Sequence, residues 1–221
     1  MRRIWALILN FLFPPKCVLC GRLLWNRETD FCAECLAETE DFSHYEKRTY
    51  LHKWVSVWYY EGKVRESLLR YKFSNARSFA SAYGRRVAMV IAREGLTDDD
   101  FLLSWVPVSR QRKWKRGYDQ VELLAEAVGR ELGVKPVRLL RKVRNNPAQS
   151  GMKDSAARRA NVVGAYRVTE PGTVLGKRVI LLDDIMTTGA TAGECARMLL
   201  TAGAENVDCA VIAASRPTAD R

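Results

Sequence analysis

The feature that most constrains this chain is a run of thirteen residues, Val179 to Thr191, with the sequence VILLDDIMTTGAT. Four consecutive apolar residues, β-branched at the start, are typical of a central strand in a parallel sheet covered on both faces. The run therefore predicts a strand, Val179–Leu182, with two acidic residues at its carboxyl end. In open α/β sheets, ligands bind at that end of the strands.

The residues after this strand have the composition of a sugar phosphate site. Asp183 and Asp184 can accept hydrogen bonds from vicinal hydroxyls such as those of ribose. The loop from Thr187 to Thr191 can surround an anion with amides and hydroxyls, and the helix predicted from about Ala192 adds its positive dipole end. No GxxxxGK[ST] motif is present, which disfavours nucleotide hydrolysis. The alternative interpretation is that Asp184 and Thr191 only cap a helix.

At all thirteen positions, this run resembles the motif with which phosphoribosyltransferases bind phosphoribosyl pyrophosphate. The resemblance implies that Asp183 and Asp184 hold the ribose 2′ and 3′ hydroxyls and that the loop holds the 5′-phosphate. It also implies magnesium on the pyrophosphate and hydroxyl side. The loop residues are Thr187, Thr188, Gly189, Ala190 and Thr191.

Two CxxC pairs near the amino terminus predict a zinc site. The cysteines are Cys17, Cys20, Cys32 and Cys35, with eleven residues between the pairs. Four thiolates at this spacing can surround one zinc ion tetrahedrally, and Gly21 allows the tight turn of a zinc knuckle. Disulfides are the alternative, disfavoured because the chain has 221 residues and no credible export signal.

An apolar run, Ile4 to Phe13, follows Arg2 and Arg3 and superficially imitates a signal peptide. Ten residues are too few to span a bilayer as a helix, and two prolines follow where small cleavage-site residues would be needed. We therefore expect a cytoplasmic protein without a transmembrane segment, in which the run packs as a short helix. Peripheral membrane contact and partner docking through the same run are the alternatives.

Strands and helices alternate along the rest of the chain, which predicts an α/β fold. We expect a type I phosphoribosyltransferase-like parallel sheet with flanking helices over residues 42–221, plus a small zinc-ribbon module over residues 1–41. A long polar passage reaches about Gly164. The predicted strands are Trp54–Tyr60, Phe101–Val108, Val179–Leu182 and Val207–Ala213, and the predicted helices are Val64–Phe73, Phe79–Arg93, Asp119–Leu132 and Ala192–Ala202.

Positive charge is concentrated in one quarter of the chain. Residues 107–160 hold fourteen basic and five acidic residues, a net charge of +9 out of +11. An aromatic residue among cations suits single-stranded nucleic acid, because phosphates attract cations and unpaired bases stack on rings. A solvated basic face, or cations that neutralise pyrophosphate, are the alternatives. The predicted nucleic-acid residues are Arg112, Lys113, Trp114, Lys115 and Arg116.

Four features together resemble the ComF family of bacterial competence proteins: the zinc array, the segment from Trp105 to Arg110, the RGYDQ motif from Arg116 to Gln120, and the acidic-pair loop. The resemblance implies a role in natural transformation, with handling of incoming single-stranded DNA in the cytoplasm beside a DEAD-box-like translocase. Asp119 departs from the asparagine usual in the family, which puts any amide-specific contact there in doubt.

By position, Ser109 and Arg110 are predicted to form the pyrophosphate loop, with Arg116 and Gln120 supporting it from the next helix. The alternative for the RGYDQ motif is a helix start in which Asp119 is the cap and its neighbouring tyrosine packs.

The polar passage Arg144–Met152 is predicted to be the mobile loop that covers the substrate, or else a DNA-facing loop. Arg158 and Asn161 either pin its base or belong to an ordinary exposed helix face. Four further residues are predicted to be structural, namely His44, His52, Cys195 and Cys209.

Three functions are consistent with the sequence. The favoured one is a DNA-uptake protein that binds single strands and phosphoribosyl pyrophosphate with magnesium. The second is an active phosphoribosyltransferase, in which pyrophosphate leaves the ribose C1 and the acceptor is unidentified. The third is a zinc-dependent adaptor without catalysis.

Overall fold

A parallel sheet organises the chain, in a computed structural model that describes residues 14–24, 28–43, 45–144 and 160–216. Its strand order is β1-β6-β5-β2, and all three neighbouring pairs are parallel. Strands β3 and β4 form a separate antiparallel pair. The strands are β1 (Trp54–Tyr59), β2 (Phe101–Trp105), β3 (Leu140–Lys142), β4 (Tyr166–Val168), β5 (Arg178–Met186) and β6 (Asn206–Ala214).

Helices cover both faces of this sheet, which explains why β6 is buried along almost its whole length. Helices α2, α3 and α5 share one hydrophobic core with the sheet, while α7 and the β3–β4 pair share the other. The helices are α1 (Ala33–Glu38), α2 (Gly62–Phe73), α3 (Phe79–Arg93), α4 (Arg110–Arg116), α5 (Gln120–Leu132), α6 (Pro171–Val174) and α7 (Ala190–Thr201).

The predicted carboxyl ends of two strands, β2 and β5, are wrong by more than one residue. β2 ends at Trp105 instead of Val108, since Pro107 has no backbone N–H to donate into the sheet. Its last hydrogen bond to β5 runs from the N–H of Val106 to the carbonyl of Leu182, at 2.9 Å.

The sequence predicts that β5 ends before the acidic pair. In the structure the strand continues through Asp183 and Asp184 to Met186. Pairing with β6 holds this extension in place, with Asp183 opposite Val211 and Met186 opposite Ala214. The charged side chains therefore lie within a strand, where their direction is set by the alternation of the strand.

The β3–β4 pair and α4 lie where the sequence predicts a polar passage and a loop. Each strand of the pair has three residues, too few to show a two-residue alternation. α4 has seven residues and none of them is buried, so it lacks the apolar periodicity by which helices are found.

The amino-terminal module packs directly on α2 and α3. The Ser67 hydroxyl donates to the Val18 carbonyl at 2.5 Å, and the Arg70 guanidinium donates to the Leu19 carbonyl at 2.6 Å. Arg85 binds both carboxylate oxygens of Asp30, at 2.7 and 2.6 Å. The module thus shares the hydrophobic core on the α2 face of the sheet.

Within the described ranges, no helix is both long and apolar enough to cross a membrane. The apolar run Ile4 to Phe13 lies outside the described residues.

Gly84 allows α3 to approach α5 closely, because a Cβ built there would stand 2.4 Å from the Cβ of Ala127. We expect Gly84→Ala to lower the free energy of unfolding by about 1–3 kcal/mol through overpacking, measured by urea denaturation. Gly172→Ala is the control, since a Cβ there meets nothing within 4 Å. Equal changes in the two variants would show that this helix contact is not tight.

Candidate functional site

The two acidic residues of β5 lie on opposite faces of the sheet, because successive strand residues alternate in direction. Asp184 lies on the face of α2 and α5. Asp183 lies on the face of α7. The two carboxylates therefore lie in different environments and do not form one symmetrical pair.

Asp184 is buried and bound from two helices. Lys72 of α2 places its Nζ 3.0 Å from Oδ1, and the Gln120 side-chain amide of α5 donates to Oδ2 at 2.8 Å. Arg116 in turn donates to the Gln120 side-chain oxygen at 2.7 Å. The outer residues of the RGYDQ motif are thereby connected to Asp184 of the acidic pair, whereas the sequence predicts them to support the pyrophosphate loop.

Asp183 is partly buried, and among the described residues no side chain donates a hydrogen bond to it. Its Oδ1 accepts the backbone N–H of Asp184 at 2.8 Å. Burial and then the Asp184 charge raise the pKa of Asp183 from 3.8 to about 8. A cation or hydroxyl donor on this side would favour the ionised carboxylate.

The loop after β5 turns into α7 at Gly189, whose φ of 75° is a left-handed conformation that suits glycine. The Thr188 hydroxyl oxygen accepts the N–H of Ala190 at 3.4 Å. The first turn of α7 and its positive dipole end lie at the same place. The loop that the sequence predicts to bind a phosphate thus leads directly into the amino-terminal end of a helix.

Ser109 and Arg110, which the sequence predicts to form the pyrophosphate loop, lie at the start of α4. Ser109 is buried and is the N-cap of α4, with its hydroxyl accepting the N–H of Arg112 at 3.3 Å. Arg110 is the exposed first residue of that helix. Any pyrophosphate contact at this point comes from the first turn of α4.

Asp119 has the capping role that the alternative interpretation gave it. One carboxylate oxygen accepts the N–H groups of Val121 and Glu122, at 3.0 and 3.2 Å, and the other accepts the N–H of Val108 at 3.3 Å. Tyr118 is buried beside it and donates its hydroxyl hydrogen bond within the core. Capping and ligand support thus come from different residues of one motif.

The outer face of α4 is exposed and basic. Trp114 exposes 87% of its surface, and among the described residues it has no hydrogen bond or ring contact. Among the described residues, Lys115 and Arg110 likewise have no hydrogen bond, ion pair or ring contact. Lys113 and Arg116 are engaged, by Glu122 at 2.6 Å and by the Phe73 ring at 5.0 Å respectively.

α7 contacts the chain at Gly164, beyond the predicted mobile loop Arg144–Met152. Buried Glu194 accepts the N–H of Gly164 at 2.8 Å, and Arg144 donates to the Val163 carbonyl at 3.2 Å. Residues 145–159 lie outside the described residues, and with them most of the passage and Arg158. Asn161 has an interaction partner.

The side chains of the four predicted cysteines converge in the amino-terminal module, which packs on α2. Their sulfur atoms all lie within 4.8 Å of one another, and Cys20 Sγ is 3.8 Å from Cys32 Sγ. Tetrahedral Zn–S bonds of about 2.3 Å place sulfurs about 3.8 Å apart. Backbone N–H groups donate to Cys17 Sγ at 3.3 Å and to Cys32 Sγ at 3.4 Å, as thiolates require. The cluster therefore suits one zinc ion.

The other residues assigned structural roles belong to neither the acidic pair nor the cysteine cluster. His52 contacts Asp208 at 3.0 Å near the amino end of β6, opposite to the edge that carries the acidic pair. Cys195 and Cys209 are fully buried in α7 and β6. His44 lies outside the described residues.

Comparison with known families now defines the class of protein. Residues 122–221 match the phosphoribosyl transferase domain, and residues 8–45 match the double zinc ribbon domain. With the parallel sheet and the cysteine cluster, these matches confirm the predicted fold class, a phosphoribosyltransferase-like domain with an amino-terminal zinc ribbon.

Individual relatives narrow this class further. The chain is 33% identical over 141 residues to DNA utilization protein YhgH of Escherichia coli O157:H7, covering 62% of this chain and 60% of that protein. It is 31% identical over 148 residues to Competence protein ComFC of Bacillus subtilis strain 168, covering 67% and 58%. It is 31% identical over 158 residues to YhgH of Escherichia coli O6:H1, covering 69% and 68%.

The chain belongs to the ComF/YhgH family, which confirms the predicted resemblance. In the first two matches it spans about three fifths of the relative's length.

Three residues near the acidic pair belong to no sequence motif. Lys72 binds Asp184 from the end of α2, where a lysine also has an ordinary role opposite the helix dipole. Lys142 stands 5.1 Å over the Tyr166 ring on the Asp183 face, and burial, then the Arg112 charge, lowers its pKa. Glu194 faces the passage from α7. Only the fold brings them to the site.

The raised pKa of Asp183 predicts a pH dependence of stability. Its neutral form is favoured in the fold, so its contribution is full below pH 3.8 and is lost as the pH rises through about 8. Asp183→Asn keeps a neutral group at every pH. We therefore expect the free energy of unfolding of the variant, minus that of wild type, to be larger at pH 8 than at pH 4 by more than about 1 kcal/mol. Urea denaturation across this range measures it.

Asp100→Asn, at an exposed position before β2, is the control for the loss of one carboxylate. Parallel stability profiles for wild type and Asp183→Asn would contradict the assignment of the raised pKa to Asp183.

The cysteine cluster predicts loss of metal on removal of any one thiolate. We expect Cys20→Ser, at the exposed member of the set, to bind well under the roughly one zinc per chain of the wild type. Elemental analysis after gel filtration measures the ratio. Cys195→Ala, which removes a thiol outside the cluster, should leave zinc unchanged, and full zinc in Cys20→Ser would refute the four-thiolate site.

Proposed function

We propose that this chain acts in natural transformation, binding single-stranded DNA on α4 and phosphoribosyl pyrophosphate with magnesium at the carboxyl edge of the sheet. The observation that carries the proposal is the position of α4 over that edge. Arg116, its last residue, reaches Asp184 through one intervening side chain, Gln120. The basic helix is therefore linked to the acidic pair through the buried side chains of Gln120 and Asp184.

The DNA part of the proposal rests on Trp114. An indole that is 87% exposed offers an open aromatic face on which an unpaired base can stack. It stands between Lys113 and Lys115 on an exposed helix, so a strand can stack one base on the ring while its phosphates meet cations. Two relatives are named for competence and for DNA utilization.

The sugar phosphate part rests on the Asp183 side of the site. The Gly189 turn supplies backbone donors for a phosphate, and the Asp183 carboxylate, free of side-chain donors among the described residues, can accept ribose hydroxyls or approach magnesium. Asp184, bound by Lys72 and Gln120, holds the surrounding elements in register. The phosphoribosyl transferase match spans this region.

The setting of this activity is the cytoplasm, where incoming single strands meet a DEAD-box-like translocase as partner. Transfer of the phosphoribosyl group to an acceptor is the second function compatible with the same residues. Release of pyrophosphate that Asp183→Asn abolishes would establish it.

For single-strand binding, we expect Trp114→Ala to weaken affinity by about 1–3 kcal/mol without changing the salt dependence, since it removes stacking only. Lys115→Ala should instead lower the slope of log K against log salt by about 0.7, the value for one phosphate contact on a single strand. Fluorescence anisotropy of a labelled oligonucleotide over a salt series measures both quantities.

Met89→Ala removes an apolar side chain that is 60% exposed on α3 and is the control. An equal effect of Trp114→Ala on duplex and single strand would exclude base stacking. Absence of wild-type binding at low salt would exclude the DNA function itself.

A further inference from the structure

The segment before β1 lies against the phosphate loop, although no motif connects the two. A Cβ at Gly189 would stand 3.3 Å from Cδ of Arg48, and one at Gly193 would stand 3.1 Å from the carbonyl oxygen of Thr49. These glycines are four residues apart, so they share one face of α7. Residues 48 and 49 thus run along the face of α7 that begins at the phosphate loop.

A turn fixes this approach. The N–H of Leu51 donates to the Arg48 carbonyl at 3.2 Å, and Tyr50 within the turn has a φ of 67°. A left-handed conformation is unfavourable for tyrosine and persists only where its surroundings impose it. Strain of this kind is common where a backbone positions a functional side chain.

The guanidinium group of Arg48 has few hydrogen-bond acceptors. Its Nε is buried and has no hydrogen-bond partner among the described residues. Its Nη1 lies 3.4 Å from an oxygen of Glu46, whose side chain is 45% exposed, and its guanidinium carbon lies 5.6 Å from the centre of the Trp54 ring. A buried guanidinium N–H without an acceptor is unfavourable, and an anion in the loop would supply that acceptor.

The phosphate loop has no cation of its own. Residues 187–191 are two threonines, a glycine, an alanine and a threonine, which offer hydroxyls and backbone N–H groups only. A phosphate monoester carries nearly two negative charges near neutral pH. Arginine is well matched to it, because a planar guanidinium can donate two parallel hydrogen bonds to phosphate oxygens.

We propose that Arg48 is the cationic ligand of the phosphate held by the Gly189 loop, so that the segment connecting the zinc ribbon to the sheet completes the binding site. This inference rests on the proposed function and assigns to it a residue outside the phosphoribosyl transferase match of residues 122–221. When the phosphate binds, the Arg48 guanidinium leaves its weak contact with Glu46 and contacts the phosphate instead.

The test is titration calorimetry of the full-length, zinc-loaded protein with ribose 5-phosphate and with magnesium phosphoribosyl pyrophosphate. Loss of a charge-assisted hydrogen bond predicts that Arg48→Gln weakens binding of both ligands by at least about tenfold. Arg48→Lys keeps the positive charge but cannot donate two parallel hydrogen bonds, so we expect this variant to lose less affinity than Arg48→Gln. Magnesium pyrophosphate, which lacks the 5′-phosphate, should bind wild type and both variants alike.

Arg93→Ala removes an exposed arginine at the end of α3 and is the matched control. Thermal unfolding and zinc content verify that each variant is folded. If wild type binds and Arg48→Gln retains wild-type affinity for ribose 5-phosphate, the role of Arg48 is refuted while the proposed function stands. Equal weakening for pyrophosphate would also refute it, and a wild type that binds neither sugar phosphate would overturn the proposed function.

Discussion

The contact on which the site depends is the anchoring of the Asp184 carboxylate between Lys72 and Gln120. A charge with only 6% exposure is unfavourable unless it is paired and hydrogen-bonded. Both requirements are met by side chains from separate helices, α2 and α5. The position of β5 relative to these helices is thereby determined, and so is the direction in which Asp183 and the phosphate loop extend.

α2 connects this contact to the zinc ribbon. Lys72 near its carboxyl end binds Asp184, while Ser67 and Arg70 bind carbonyl groups of the first cysteine knuckle. Ser67 and Lys72 are separated by about one and a half turns of this helix. The cysteine cluster and the acidic pair are thereby connected through contacts of a single helix.

Local patterns predicted a large part of the fold. The helix Phe79–Arg93 is found with the predicted bounds, and the other predicted strands and helices are present with shifted ends. The cysteine cluster and the family were predicted as well, because they depend on residue types at short, regular spacings. The predictions fail for elements whose sequences are short or polar. α4 and the β3–β4 pair bury too few residues in sequence to show a period.

The sequence alone determined which chemistry is available: four thiols in two pairs, an acidic pair after an apolar run, a glycine-centred loop and a basic segment around one tryptophan. The tertiary structure decided how these groups face one another. It extended β5 through the acids and so directed them to opposite faces, gave Asp184 a lysine partner distant in sequence, and laid Arg48 against Gly189. Spacing along the chain encodes neighbours within one helix or strand, whereas contacts between elements arise only when the whole core packs.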